Sequence, residues 1–158
     1  MSTPVICLLI IAIGFVAGLR SMTAPAAVSW GAHLGWLALK GSALGFLSSP
    51  VAVGIFTLAA LGELVADQIP TTPNRTAPFP FGARIVMGGF CGAAIALAAE
   101  QPWLVGIGLG VIGAVMGTFG GYYARKGATE AHVAPAFVIA TVEDLIAIGA
   151  ATLIVSRF

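Results

Sequence analysis

The run from Val133 to Val155 is apolar enough to cross a bilayer, yet two consecutive acids, Glu143 and Asp144, stand near its middle. A carboxylate at the centre of a spanning helix costs about 2.5–3.5 kcal/mol on insertion scales. Neighbouring residues project about 100° apart on a helix, so one partner does not readily serve both acids. Desolvation and mutual repulsion both act against their charged forms. The rest of the chain must bring a counter-charge, a proton, a cation or water to this helix.

Composition says what kind of chain can do so. Of the 158 residues, 59% are hydrophobic and 8% are charged, against about 25% charged in a soluble domain. With so few charges the chain cannot coat a globule in water, and it reads as an integral membrane protein. A net charge of +1 offers no footprint for nucleic acid. Cys7 and Cys91 lie inside apolar runs and read as packing residues, not as a disulfide or a metal site. No nucleophile motif, phosphate loop or zinc signature is present, and no cofactor is implied.

Five apolar runs are candidate spans: Pro4 to Arg20, Pro50 to Gln68, Ala83 to Ala99, Trp103 to Tyr123, and the run that holds the two acids. The first lacks the basic flank of a signal peptide and is read as a helix that stays. Residues 21–49 contain Thr23-Ala-Pro25, then Trp30, His33, Trp36 and Lys40, and are broken by Gly41 and Gly45. They predict a helix lying at the interface or re-entering partway. The proline-rich stretch 69–82 predicts an extended loop. Lys and Arg divide four to three between the two sides of this five-span topology, a lean toward a cytoplasmic N-terminus.

The chain also echoes itself. Gly14 and Gly18 precede Arg20, and Gly117 and Gly121 precede Arg125; Glu63 and Asp67 in the second run rhyme with Glu143 and Asp144 in the fifth. Residues 4–70 and 103–157 would then be inverted repeats around one intervening span, an arrangement common in transporters. Gly88 and Gly92, and the ladder Gly113, Gly117, Gly121, have the spacing that lets helix backbones approach closely in lipid.

The charged residues are the candidate site. Glu63 and Asp67 are four apart and share a helix face, Asp67 near the helix end where it can reach headgroup water. Arg20 and Arg84 stand at span boundaries, either snorkelling to the interface or acting as counter-charges to Glu63 and Glu143. Arg75 in the proline-rich loop either covers a vestibule or is a solvated turn residue. His33 and His132 lack metal-ligand companions and read as structural.

Gly18-Leu-Arg-Ser21 with Pro25, Glu63…Asp67…Pro70, Pro73-Asn-Arg75, Ala83-Arg84…Gly88-Gly89 and Glu143-Asp144 together resemble a bacterial membrane family, catalogued as domain of unknown function 4126. The resemblance covers nearly the whole chain and implies a small bacterial membrane protein, with no activity attached.

The expectation is an all-α integral membrane protein, a single domain over residues 1–158, with about five transmembrane helices plus an interfacial or re-entrant segment. It would be a multi-pass protein of the bacterial inner membrane, surrounded by lipid. It would act as a transporter or channel-like protein for an ion or small solute, and its small size leaves room for a homodimer. Glu63, Asp67, Glu143, Asp144, Arg20, Arg84 and Arg75 would form the polar site. A non-transporting scaffold, in which the same charges are structural pairs, is the competing expectation.

Overall fold

The computed structural model describes residues 1–67, 76–131 and 134–158. These form six α-helices: α1 (Thr3–Leu19), α2 (Thr23–His33), α3 (Pro50–Ala66), α4 (Pro78–Ala98), α5 (Trp103–Glu130) and α6 (Ala136–Val155), with one turn of 3₁₀ helix at Gly45–Ser48 before α3. Three of them, α4, α5 and α6, are long and apolar enough to cross a membrane; α1 and α3 are apolar but have 17 residues each. Seventeen residues reach about 25 Å, a little short of a hydrocarbon core of about 30 Å.

Helix ends depart from the sequence reading where proline is concerned. Residues 78–82 were expected in the extended loop, but Pro78 and Pro80 lie in the first turn of α4. There a missing N–H costs nothing, because the first turn has no intrahelical acceptor for it. At the other limit, α5 runs on past Tyr123 to Glu130 as its polar final turns emerge from the bundle. Between α4 and α5 the chain turns in a few residues, and Glu100 adopts a left-handed backbone conformation there (φ 55°).

Helix α5 packs against both α1 and α4, and its Gly110 is met from both sides. A Cβ on Gly14 of α1 would overlap the Gly110 carbonyl, and one on Gly88 of α4 would come within 2.8 Å of the same oxygen. Gly92 faces Gly106 and Gly110, while Gly113 and Gly117 meet the α1 backbone at Ile11 and Phe15. Gly18 abuts Ala114 and Thr118, and Gly121 is buried. Lipid offers no hydrophobic drive for helix association, so backbone contact of this kind supplies dispersion energy in its place. The Thr118 hydroxyl adds a polar stitch, lying 2.8 Å from the Ala114 carbonyl and 3.2 Å from that of Gly18 across the interface.

These contacts fix the directions of the helices. Gly14 with Gly110 and Gly18 with Ala114 make α1 and α5 parallel, whereas Gly88 with Gly110 and Gly92 with Gly106 make α4 antiparallel to α5. Glu63 near Arg84 and Phe56 near Phe90 set α3 antiparallel to α4. Trp30 bonded to Thr57, and Ser21 to Glu63, set α2 antiparallel to α3. Arg20 against Asp144 and Gly31 against Val155 make α2 and α6 parallel. Helices α1, α3 and α5 therefore run one way and α2, α4 and α6 the other.

Two expectations change as a result. The segment 21–49, expected at the interface or re-entering partway, neither lies along the surface nor turns back to the end it left. Its helix α2 is buried along Thr23, Ala24, Pro25, Ala26, Val28, Ser29, Gly31 and Ala32, and Leu37, Leu39 and Leu47 beyond it are in the core. It returns the chain to the end of the bundle where α1 began, so α3 starts at the same end as α1. The parity of the topology changes with it. Helices α1 and α5 lie side by side and parallel, not in the antiparallel relation that inverted repeats over 4–70 and 103–157 require.

Candidate functional site: a buried charge cluster at a helix break

Helix α1 ends at Leu19 and α2 begins at Thr23, so three residues, Arg20, Ser21 and Met22, make the reversal. Thr23-Ala-Pro25 explains the restart: Pro25 is tolerated because it falls in the first turn of α2. The reversal leaves backbone donors without helical partners, and one side chain takes them up. Glu63, projecting from the last turns of α3, accepts bonds from the Ser21 N–H and hydroxyl and from the Met22 N–H, each at 2.8 Å. A carboxylate at this place also sits at the positive end of the α2 dipole.

Arg20 is the pivot. It is fully buried, and its guanidinium is shared between two acids from different helices, Asp67 at the C-terminal cap of α3 and Asp144 on α6. A guanidinium taken out of water without such partners would cost several kcal/mol. Asp67 gains equally, because a carboxylate at a helix C-terminus faces the negative end of the dipole. Arg84, near the start of α4, approaches Glu63 at 3.9 Å and donates to the Pro80 carbonyl at 3.3 Å. The side chains of Glu63, Asp67 and Asp144 retain 13–16% exposure, so the cluster is enclosed on most sides but not sealed.

The site thus gathers Arg20, Glu63, Asp67, Arg84 and Asp144 from four chain segments: the α1–α2 turn, α3, α4 and α6. Arg84 approaches Glu63, one of the counter-charge pairings the sequence offered, whereas Arg20 answers Asp67 and Asp144, not Glu63 and Glu143, and Asp67 is tied inward, not turned to headgroup water. Glu143 is partly buried next to Asp144 on α6. Arg75 lies outside the described residues, as do Pro70, Pro73 and His132. His33 is remote, at the far end of α2, with its Nδ1 2.9 Å from the Ser48 carbonyl. Ser21 and Met22 were missed as site residues because they act mainly through backbone N–H groups, which residue identity does not advertise. The nearest signal was Pro25, which marks a helix start just after Arg20.

The cluster's setting is apolar on both sides along α6. Phe137 and Val142 precede the acids, Ile148 and Leu153 follow them, and all four are exposed on the bundle surface. The short helices α1, α2 and α3 all have an end at the cluster, whereas α4, α5 and α6 continue past it. Arg84 lies about two turns inside α4, and Asp144 a little more than two inside α6, or about 9–12 Å.

An all-helical bundle with three membrane-length apolar helices and a buried charge cluster defines a protein of membrane type, its apolar faces suited to lipid contact. Residues 7–156 match the family model described as "Domain of unknown function (DUF4126)", and the chain belongs to that family. No curated protein and no solved structure matches it.

Proposed function

We propose that this protein is a multi-pass transporter of the bacterial inner membrane for a proton or small cation. The observation that carries the reading is the break between α1 and α2, placed inside a cluster of carboxylates drawn from α3 and α6. Discontinuous helices that meet ionisable groups within the membrane are a recurrent way to build an ion site. Three carboxylates, Glu63, Asp67 and Asp144, face two guanidiniums, Arg20 and Arg84, among the described residues. A proton or cation entering this group would share the carboxylates with the guanidiniums. Asp144 is the acid best placed to exchange, since loss of its charge still leaves Arg20 paired with Asp67.

The test is flux in liposomes holding the purified protein, with a pH-sensitive dye inside and proton, sodium or potassium gradients imposed. Wild type should move at least one of these above empty liposomes, and Asp144→Asn should lower the rate at least tenfold while keeping a folded thermal transition. Rates equal to empty liposomes for every ion remove the proposal. A scaffold role is the second reading, favoured by the complete burial of Arg20 between two acids; under it Asp144→Asn changes stability alone.

The proposed topology gives α4, α5 and α6 complete crossings, with α3 and an α1–α2 hairpin entering from the opposite end to the cluster. Both chain ends then share a side. Arg20, Arg84, Arg125 and Lys126 lie toward one end of the bundle, and Lys40 and Arg157 toward the other. The positive-inside rule assigns the first end to the cytoplasm, which reverses the earlier lean and puts the chain ends outside. Alkaline phosphatase fused after Phe158 should be active in the periplasm, and a fusion after Lys126 inactive. The reverse pattern refutes this orientation.

A further inference from the structure

Glu63, Asp67 and Asp144 bring six carboxylate oxygens to the cluster, and four of them are already in use. Glu63 Oε1 accepts from the Ser21 N–H and hydroxyl, and its Oε2 accepts from the Met22 N–H. Asp67 Oδ2 and Asp144 Oδ1 are held by Arg20. Asp67 Oδ1 and Asp144 Oδ2 are left with neither a hydrogen bond nor an ion pair among the described residues. The two contacts of Arg20 are unequal. Its Nη1 donates a hydrogen bond to Asp67, whereas Nη2 meets Asp144 Oδ1 as an ion pair without hydrogen-bond alignment.

This allocation separates one cation from the others. A metal cation that seeks oxygen must exchange its hydration shell for several oxygens at once. Two carboxylate oxygens on different helices are too few, and between them stands a guanidinium that is always charged and offers no acceptor. Arg20 has nowhere else to go. It is fully buried, and leaving Asp67 and Asp144 would strand its charge. A proton asks for a single oxygen. Asp144 keeps 13% of its side chain exposed although Oδ1 is closed off, which leaves Oδ2 as the oxygen a proton can reach.

The other charges around Asp144 leave that choice standing. Helix α6 packs chiefly against α1, α2 and α5. Before Arg20, α1 has no charged side chain; α2 has only His33, at its far end; and α5 brings Arg125, Lys126 and Glu130 in its final turns. Glu143 is the neighbour of Asp144 on α6, and α3 and α4 add Glu63, Asp67 and Arg84.

We infer that the ion exchanged at this site is the proton alone, taken up on Asp144 Oδ2, and that Arg20 is the residue that denies the site to sodium and potassium. The inference rests on the transport reading and narrows it. Uptake makes the Asp144 carboxyl neutral and removes its ion pair with Arg20, which stays hydrogen-bonded to Asp67 through Nη1. Release of the proton restores the pair.

The experiment has a flux arm and a binding arm, both on the full chain. In phosphatidylethanolamine–phosphatidylglycerol liposomes with an internal pH dye, proton flux should be unchanged when choline replaces all sodium and potassium. Uptake of radioactive sodium and rubidium should equal that of empty liposomes. Sodium or rubidium uptake that Asp144→Asn abolishes overturns the inference and upholds transport; if no ion moves at all, the transport reading falls and binding decides the rest. Infrared difference spectra between acid and neutral pH should show the carbonyl band of a neutral carboxylic acid, lost in Asp144→Asn. Absence of that band overturns uptake on Asp144. At constant ionic strength, sodium in place of choline should not shift the unfolding midpoint of wild type, whereas Arg20→Gln, with the guanidinium gone and an amide oxygen added, should be raised by sodium. A sodium-independent Arg20→Gln overturns the excluding role of Arg20. Should that variant fail to fold, a sodium-dependent rise in wild type overturns it instead.

Discussion

Two halves of this bundle are held together by different physics. Around α5, helices α1 and α4 touch through glycines, backbone against backbone, with Gly110 pressed from both sides. Around α2, helices α3 and α6 contact each other little, and their join depends on Arg20, Asp67, Asp144 and the Glu63 bonds to Ser21 and Met22. The glycine contacts are short-ranged and tolerate no added atom. The charge cluster is directional, and its energy depends on whether its members are ionised. One half can serve as a rigid frame, and the other can change its internal pairing without the frame coming apart.

The largest effect should come from the charge cluster. Arg20→Met keeps most of the side-chain volume but leaves Asp67 and Asp144 facing each other without their shared cation. Breaking a buried pair in this way costs about 3–5 kcal/mol, measurable as a lower unfolding midpoint in a denaturant series on detergent-solubilised protein. The triple variant Arg20→Met with Asp67→Asn and Asp144→Asn removes the uncompensated charges and should recover most of that loss. If Arg20→Met unfolds no more easily than wild type, the second half is not held by ions, and the contrast drawn between the halves fails.

The frame was more legible in the chain than the cluster was. Long apolar runs between polar flanks reveal α4, α5 and α6, because lipid contact demands them. The spacing of Gly88 and Gly92 and of Gly113 and Gly117 marks faces able to approach closely. Partner choice is another matter. Gly110, which both neighbouring helices press upon, lies in a segment with glycines at 106, 108, 110 and 113, and nothing local distinguishes it. Arg20 and Asp67 stand 47 residues apart, and the fold alone decides that Arg20 answers Asp67 and Asp144. Segment 21–49 misled for a physical reason. Its glycines and tryptophans resemble an interfacial helix, but Ala24, Val28 and Ala32 are small enough to be buried between neighbours, which turned a strap into a return leg and changed the parity of everything after it.

Glycine itself provides the finest test of the contrast, because the same substitution should change sign between the halves. In the frame, a methyl group at Gly14 would overlap the Gly110 carbonyl, and backbone cannot move aside as a flexible side chain can. Gly14→Ala should therefore force α1 from α5 and destabilise by about 1–3 kcal/mol, as overpacking does. On α3, Gly54 lies within the helix with nothing within 4 Å of where a Cβ would be. Gly54→Ala meets no clash and removes backbone freedom from the unfolded chain, so it should stabilise by about 0.5–1 kcal/mol. Unfolding midpoints of the two variants, measured side by side, should fall on opposite sides of wild type. If both are lowered, the outer face of α3 is packed against something the isolated chain does not contain, and its freedom from the frame is only apparent.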